Sequence, residues 1–423
     1  PCFASLAGAD TSSSMCGLSS VVLNATAGTQ GTWSIFNGPT GGGEVFSNKN
    51  SPTTEFSTPN AGIYTLRWTI PYGNGTCTPI FDDVQVSTEL CNKLDFDGID
   101  DNVNFGNNYN FDSGSFSIEV WVKPSVSNGN IQTIFSKRSS VALEDGYDLR
   151  IVNNILSFNW NKGNSITSKF PISTGRWYHI AVTFNGTAYN LFIDGIKVEN
   201  SVSGYNPIAN NNTKSILGAM IQNTSYPYLP TNFFNGWMQE LRIWNVALTE
   251  SQMHQMMNQK IKNNESSVLG LTVPQIIPGI NWGNLEGYYQ MVQSSDIVNG
   301  HLIDKSNNVR NGKLIGIITQ QPETAPLPYT SSTDNAWENS ATWSHGAIWN
   351  IPNTLGVDVK TYIDWNIVKT NHNIISTGNK TVLGLLVENN TVTATNDTKI
   401  EVSHYLKLDG KIDLQGMSQL LQT

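Results

Sequence analysis

SFSIEVWVKP, residues 115–124, alternates apolar with small or polar side chains, so Phe116, Ile118, Val120 and Val122 fall on one face of an extended strand. RWYHIAVTF, residues 176–184, repeats the pattern with Tyr178, Ile180, Val182 and Phe184. Both segments predict long strands that bury one face. YNLFIDGIKVE (189–199) places Asp194-Gly195 between two β-rich runs, the mark of a tight hairpin. Upstream, SVVLNAT (20–26), GTWSIF (31–36), GIYTLRWTIP (62–71) and FDDVQVS (81–87) are short alternating runs separated by the turn clusters NGPTGGG and PYGNGT. That spacing predicts a small β-sandwich over residues 1–91. One helix interrupts the strands: in ALTESQMHQMMNQKI (247–261), Thr249 and Gln252 form a capping box. Met253, Met256, Met257 and Ile261 follow at helical spacing, which reads as a core face rather than a cofactor box. Beyond QQPETAPLPYTSS (320–332), read as a linker, apolar triplets alternate with Asn, Asp and Gly corners at a step of about 20 residues. This rhythm predicts the start of a β-solenoid or repeat stalk.

Composition agrees with an all-β chain. Only 13% of the 423 residues are charged, while aromatics reach 10% and glycines number 36. Soluble domains average about 25% charged residues. Disorder is excluded by the apolar and aromatic content, and helical bundles by the shortage of Lys, Glu and Ala. A net charge of -9 and a pI near 5.1 disfavour a nucleic-acid partner. No apolar run approaches the roughly 18 residues needed to span a bilayer, so no membrane insertion is expected. PCFASLAGAD has neither the basic start nor the apolar core of a signal peptide. With no initiating Met and an ending at QLLQT in mid-pattern, the chain reads as part of a longer polypeptide.

All four cysteines, Cys2, Cys16, Cys77 and Cys91, lie near the N-terminus. No CxxC pair occurs and no His stands at ligand spacing, which argues against zinc. Of the three possible pairings, the expected one is Cys16–Cys77, near the first and last strands of the small sandwich, with Cys2–Cys91 clipping its two ends. Closing a loop of about 60 residues is worth about 4 kcal/mol in the chain-entropy account. Such bridges imply an oxidising, extracellular compartment.

Four blocks then appear in family order: LDFDGIDDNVNFG (94–106), SFSIEVWVKP, GRWYHIAVTFNGTAYNLFIDGIKV (175–198) and FFNGWMQELRIWNVALTESQM (233–253). Together they resemble a laminin G-like or pentraxin-like domain, the concanavalin A-like jelly roll. NLEGYYQM (284–291) and LIDKSNNVRNGKLIG (302–316) resemble the stretch that completes such domains. The resemblance implies two antiparallel sheets packed face to face, with the last long strand pairing near the first. MCGLSSVVL (15–23) and SPTTEFSTPNAGIYTLRWTI (51–70) resemble Ig-like repeats of bacterial surface proteins. WSHGAIWNIPNT (343–354), IDWNIVKTNHN (363–373) and SHYLKLDGKIDLQG (403–416) resemble a segment found beside such jelly rolls in large adhesins of gliding bacteria exported by a type IX system. The expected organisation is an Ig-like sandwich (1–91), a jelly roll (92–320), a linker (321–335) and a β-rich, stalk-like or solenoid-like segment (336–423).

Asp95, Asp97, Asp100 and Asp101 crowd one turn. Carboxylates this close repel one another, so either a hard cation with oxygen ligands, a structural Ca²⁺, sits among them or the run is a solvated acidic turn whose Asp-Gly serves only geometry. The expected ligands are Asp97, Asp100 and Asp101, with Glu240 from a neighbouring strand. After SILG (215–218), where pentraxins supply calcium ligands, this chain has Ala219, Met220 and Ile221, which cannot ligate calcium. A pentraxin-style, calcium-bridged ligand site is therefore not expected. Sugar binding needs aromatic faces and planar amides. The stretch IQNTSYPYLPTNFFNG (221–236) offers Gln222, Asn223, Tyr226 and Tyr228, with Trp160, Asn161 and Tyr205 from other loops. Trp121, Trp177 and Trp244 sit inside strand patterns and read as core. The six histidines are scattered. GxSxG, HExxH, Walker and GxGxxG motifs are absent, as is the alternating ExDxE carboxylate pattern of jelly-roll glycosidases.

The expected function is non-catalytic: a segment of a bacterial cell-surface adhesin whose jelly roll contacts a glycan or surface polymer in attachment or gliding. The alternatives are a purely structural spacer, or an accessory carbohydrate-binding module of a secreted polysaccharide-degrading enzyme.

Overall fold

The structure is a computed structural model that describes all residues except 1–5, 13–14, 19, 27–29, 72–79, 142–144, 200–201, 223–228 and 293. The chain divides into two compact units. The first comprises Pro1–Lys93, Ile297–His301 and Lys313–Ile318; the second comprises Leu94–Asp296, Leu302–Gly312 and Thr319–Thr423.

In the first unit, Thr11–Ser12, Ile80–Thr88, Gly62–Ile70 and Thr32–Asn37 form a sheet in that order, and Ser20–Asn24, Thr53–Ser57 and Val45–Phe46 form another. Alternation decides what is buried: Tyr64, Leu66, Trp68 and Ile70 point inward from one strand. They meet Val21, Leu23 and Phe56 of the other sheet in a single core. Cys16 bonds Cys91, with Cα atoms 5.1 Å apart. This corrects both expected pairings, Cys16 with Cys77 and Cys2 with Cys91. The Gly17 N–H donates to the Glu89 carbonyl at 2.8 Å, which lays residue 16 beside the end of the last long strand and within bridging distance of Cys91. Cys2 and Cys77 lie outside the described residues.

The second unit contains two large antiparallel sheets. Phe116–Pro124 lies between Tyr178–Phe184 and Asn235–Trp244. Its register pairs Phe116 with Phe184, Ile118 with Val182 and Val120 with Ile180, so the two apolar faces foreseen from alternation coincide. Phe96–Asp97 pairs with the start of Asn235–Trp244, the contact implied between first and last long strands. The facing sheet runs Asn164–Thr167, Ile155–Trp160, Tyr147–Val152, Gln132–Lys137, Ile216–Leu217, Asn102–Asn104. Asp194 and Gly195 have φ of 52° and 78°, as a two-residue hairpin turn between Ala188–Ile193 and Ile196–Lys197 requires.

The helix is Glu250–Met256, opened by the capping box of Thr249 and Gln252. It is shorter than the Met stripe suggested. Met257 caps it, and Ile261 begins the strand Ile261–Asn264. Met253 and Met256 are buried as expected of a core face.

Residues 367–422 form parallel coils. Ile374 pairs with Val392, and Val392 with Ile412; in the companion sheet Val382 pairs with Val402, and Ile400 with Leu420. Buried Val, Ile and Leu thus stack in columns, the arrangement of a β-solenoid. The stretch 321–335 does not behave as a linker. Gln321, Ala325 and Tyr329 are buried, and Tyr329–Thr330 pairs in parallel with Ile367–Thr370. The reason is a shared core: Trp121, Trp177 and Met257 of the jelly roll pack with Trp337, Trp343 and Val368. The Trp365 indole stacks on His254 at 3.7 Å between ring centres and donates to the Asp194 carbonyl at 3.1 Å.

Candidate functional site

Three segments far apart in sequence converge at one rim of the jelly roll. Residues 98–101 pass from Phe96–Asp97 in one sheet to Asn102–Asn104 in the other. Residues 125–131 make the same crossing from Phe116–Pro124 to Gln132–Lys137. Residues 232–234 lead into Asn235–Trp244. Hydrogen bonds lock the three together: Ser125 N–H to the Asn235 carbonyl at 2.9 Å, Thr133 N–H to the Asn232 carbonyl at 2.9 Å, and Asn235 N–H to Gln132 Oε1 at 3.2 Å. The Asn235 amide donates to the Asp97 carbonyl at 2.5 Å. A Cβ at Gly98 would lie 2.8 Å from the Asn235 side chain, and its φ is 80°, so this approach needs glycine.

The crossing loop gathers Asp97, Asp100 and Asp101, with ligand oxygens within 4.8 Å of one another. Asp101 is buried, and its Oδ2 accepts from Asp97 N–H at 2.8 Å. Burial, with the charges of Asp97, Asp100 and Asp95 adding, pushes the Asp101 carboxyl up to about 7. Burial and the Asp97 charge raise Asp100 as well. Next to them the Asn102 amide donates to the Asp100 carbonyl at 3.0 Å, while its own Oδ1 is buried without a partner. The three carboxylates form a hard, all-oxygen donor set suited to Ca²⁺. Asp95 stands apart, its Oδ2 accepting from Thr319.

Glu240 does not join this group. It sits at a β-bulge with φ of 56°, and its Oε2 accepts from Arg242 at 2.7 Å and from the Tyr288 hydroxyl at 2.8 Å. Arg242 also lies 3.4 Å from Glu119, which accepts from Trp244 at 3.1 Å and faces His179 at 3.2 Å. Burial pushes Glu119 up, but the His179 bond and the Arg242 charge outweigh it and hold the carboxyl below its usual range. Glu240 is raised by burial against the opposing Arg242 charge. This is a buried charge network of the sheet; the expectation of Glu240 as a cation ligand is corrected accordingly.

Beside the acidic loop the three rim segments enclose a cleft of about 550 Å³. Amide side chains dominate it: Asn128, Asn130, Gln132, Asn232 and Asn235, with Phe233 as the aromatic wall. Asn128 and Asn130 are exposed, and Phe233 is half-buried. Amides offer donors and acceptors in one plane, as sugar hydroxyls require. Sequence reading missed this set. Asn232, Phe233 and Asn235 belong to the very stretch that drew attention for its tyrosines, but nothing local in 126–132 marks it as their neighbour.

The residues expected to bind a ligand fare differently. Asn223, Tyr226 and Tyr228 lie outside the described residues. Gln222 is exposed, its carbonyl accepting from the Ser139 hydroxyl at 2.9 Å. Tyr205 is exposed, and its carbonyl accepts from the Tyr189 hydroxyl. Trp160 is a correction: its ring is buried and stacked on Tyr189 at 4.0 Å, so it presents no face to a ligand. The alternation Leu156, Phe158, Trp160 carried that information. Trp121, Trp177 and Trp244 are core residues, as expected.

Residues 97–254 match the family model of the concanavalin A-like lectin/glucanases superfamily, so this part of the chain is a concanavalin A-like jelly roll. No curated protein matches the chain. Among solved structures it is similar to a Bacteroides ovatus protein provisionally assigned to carbohydrate binding, at 17% identity over 76% of this chain and 99% of that one, with a TM-score of 0.38. It is also similar to a SAP-like pentraxin of Limulus polyphemus, at 17% identity over 38% of this chain and 82% of that one, TM-score 0.27. A third is domain 4 of an extracellular arabinanase from Geobacillus stearothermophilus in complex with arabinotriose, at 18% identity over 54% of this chain and 89% of that one, TM-score 0.27.

Proposed function

We propose that the chain is a non-catalytic, extracellular glycan-binding segment of a bacterial surface adhesin, in which the jelly roll holds a neutral glycan or surface polymer at the rim. The observation that carries this reading is the amide-lined cleft enclosed by 126–132 and 232–235. Asp97, Asp100 and Asp101 hold a structural Ca²⁺ that fixes the loop forming one wall of the cleft. The N-terminal sandwich serves as an Ig-like spacer, and many weak contacts along a repeated surface protein add by avidity.

A neutral-glycan array followed by titration calorimetry tests the reading. Asn128→Ala with Asn130→Ala should abolish detectable binding while leaving the unfolding midpoint in place, because both side chains are exposed. Silence of the unmodified protein across a broad array would sink the reading. A second reading, a rigid structural spacer, is favoured by the core that the jelly roll shares with the parallel coils; silence on the array would leave it standing.

A further inference from the structure

A second cleft, of about 410 Å³, opens where the jelly roll meets the chain at 324–349. We propose that this cleft, lined by Gln239, Lys260, Thr330, Ser344, His345 and Trp349, is a binding site for an acidic saccharide unit, whose carboxylate is met by the Lys260 ammonium and the Trp349 indole N–H.

Trp349 is buried, and its Nε1–H has no acceptor. Its ring is fixed edge-on between Tyr329 at 5.8 Å and His345 at 5.1 Å, so the donor cannot turn away to find one. A buried donor left unpaired is costly, and a site that supplies an acceptor removes that cost. Lys260 brings a positive charge. Its backbone is held by the Leu271 N–H at 2.9 Å, and its side chain forms no hydrogen bond or ion pair among the described residues. The carboxylate that feels it, Glu240, is bonded to Arg242 and Tyr288. His345, which lines the cleft, is held in place by its Nδ1 pairing with Glu323. Gln239 builds the wall: its Oε1 accepts from Ala325 N–H at 2.7 Å and holds 324–328 against the strand.

The lining thus offers one unpaired N–H and one cation without an ion-pair partner among the described residues, which selects an anion rather than a neutral ring. The hydroxyls of Ser344 and Thr330, with an aromatic wall, suit a hydroxylated ring bearing that carboxylate. The cleft has the size of a small-ligand site. This proposal goes beyond the neutral-glycan reading of the rim and does not depend on it, since the two clefts share no residue.

The test is calorimetry on the whole chain with four probes: glucuronate or galacturonate, an oligosaccharide of the same uronate, the matching neutral sugar, and acetate. Binding of the uronate probes without the neutral sugar or acetate is expected. The oligosaccharide against the free acid tells whether a polymer-borne or a free uronate is the natural source. Lys260→Met should weaken uronate binding at least about ten-fold, the usual consequence of removing a charged hydrogen-bond partner. Trp349→Phe, which keeps the ring and deletes the N–H, should weaken it several-fold. Lys260 is half-exposed, so its variant carries the test if the Trp349 variant fails to fold. Asn128→Ala with Asn130→Ala should leave uronate binding unchanged, which separates failure here from failure at the rim. No uronate binding up to about 10 mM, equal affinity for neutral sugar or acetate, or an unaffected Lys260→Met variant would each overturn the proposal.

Discussion

Asp101→Asn should make the calcium-free protein more stable at neutral pH, although it removes a proposed ligand. The Asp101 side chain is 2% exposed, and burial with its neighbouring carboxylates lifts it from 3.8 to about 7. A carboxyl with a raised folded-state pKa binds its proton more tightly when folded. Below about pH 4 both states are protonated and the shift contributes nothing. Between about 4 and 7 the unfolded chain ionises first, and folding loses stability steadily; above 7 the loss is complete. A shift of about three units corresponds to at most on the order of 4 kcal/mol. Asn cannot ionise, yet its Oδ1 can still accept from Asp97 N–H, so the variant escapes the loss and keeps the bond. The assay is urea unfolding in chelator from pH 4 to 8, repeated at pH 8 with saturating calcium. In chelator the two proteins should converge near pH 4 and diverge toward pH 8, with the variant the more stable. Calcium should then stabilise the unmodified protein and leave the variant nearly unmoved, since only a ligand bound by the native state raises stability. Parallel pH profiles in chelator, or an equal calcium gain in both proteins, would refute the reasoning.

Arg242→Met leaves two buried carboxylates, Glu119 and Glu240, without their shared cation and should cost about 3–5 kcal/mol in chemical unfolding. Adding Glu240→Gln should recover part of that, and a double variant as unstable as the single one would count against the network as described. Cys91→Ala opens the Cys16–Cys91 loop and should destabilise the first unit by about 4 kcal/mol, read as a lowered melting temperature; peptide mapping without reductant should recover the Cys16–Cys91 pair. Trp365→Ala removes both the stack on His254 and the bond to Asp194 and should cost about 3–5 kcal/mol, with proteolysis between 320 and 366 the sensitive readout.

Local patterns were legible where the chain acts on its immediate neighbours. Alternation in 116–122 and 178–184 marked both strands and one inward face of each, although the structure buries the other faces as well. Asp194-Gly195 and the Thr249–Gln252 box marked a turn and a helix start, because each works within four residues. What escaped was non-local. Whether Cys16 meets Cys77 or Cys91 depends on how a strand end lies against Gly17, which no spacing encodes. Glu240 read as an oxygen donor to the aspartates from a neighbouring strand, but a bulge at its own position turns it into the charge network. The rim cleft draws its amides from two loops some hundred positions apart in the chain and is defined only once both cross between the sheets. The acidic turn was visible as a cluster, whereas the unsatisfied Asn102 oxygen beside it was not.

The Trp365–His254 stack, with the columns of buried residues behind it, has a mechanical meaning. The turn at Asp194-Gly195 is gripped by both rings: a Cβ at Gly195 would lie 2.7 Å from the Trp365 indole nitrogen and 2.8 Å from the His254 ring. The jelly roll therefore has no swivel where it joins the coils. A ligand held at either cleft would be presented in one fixed orientation along the coil stack, without the entropy loss of freezing a hinge. Tension applied through the coils would load the shared tryptophan core in shear rather than be taken up by a slack tether.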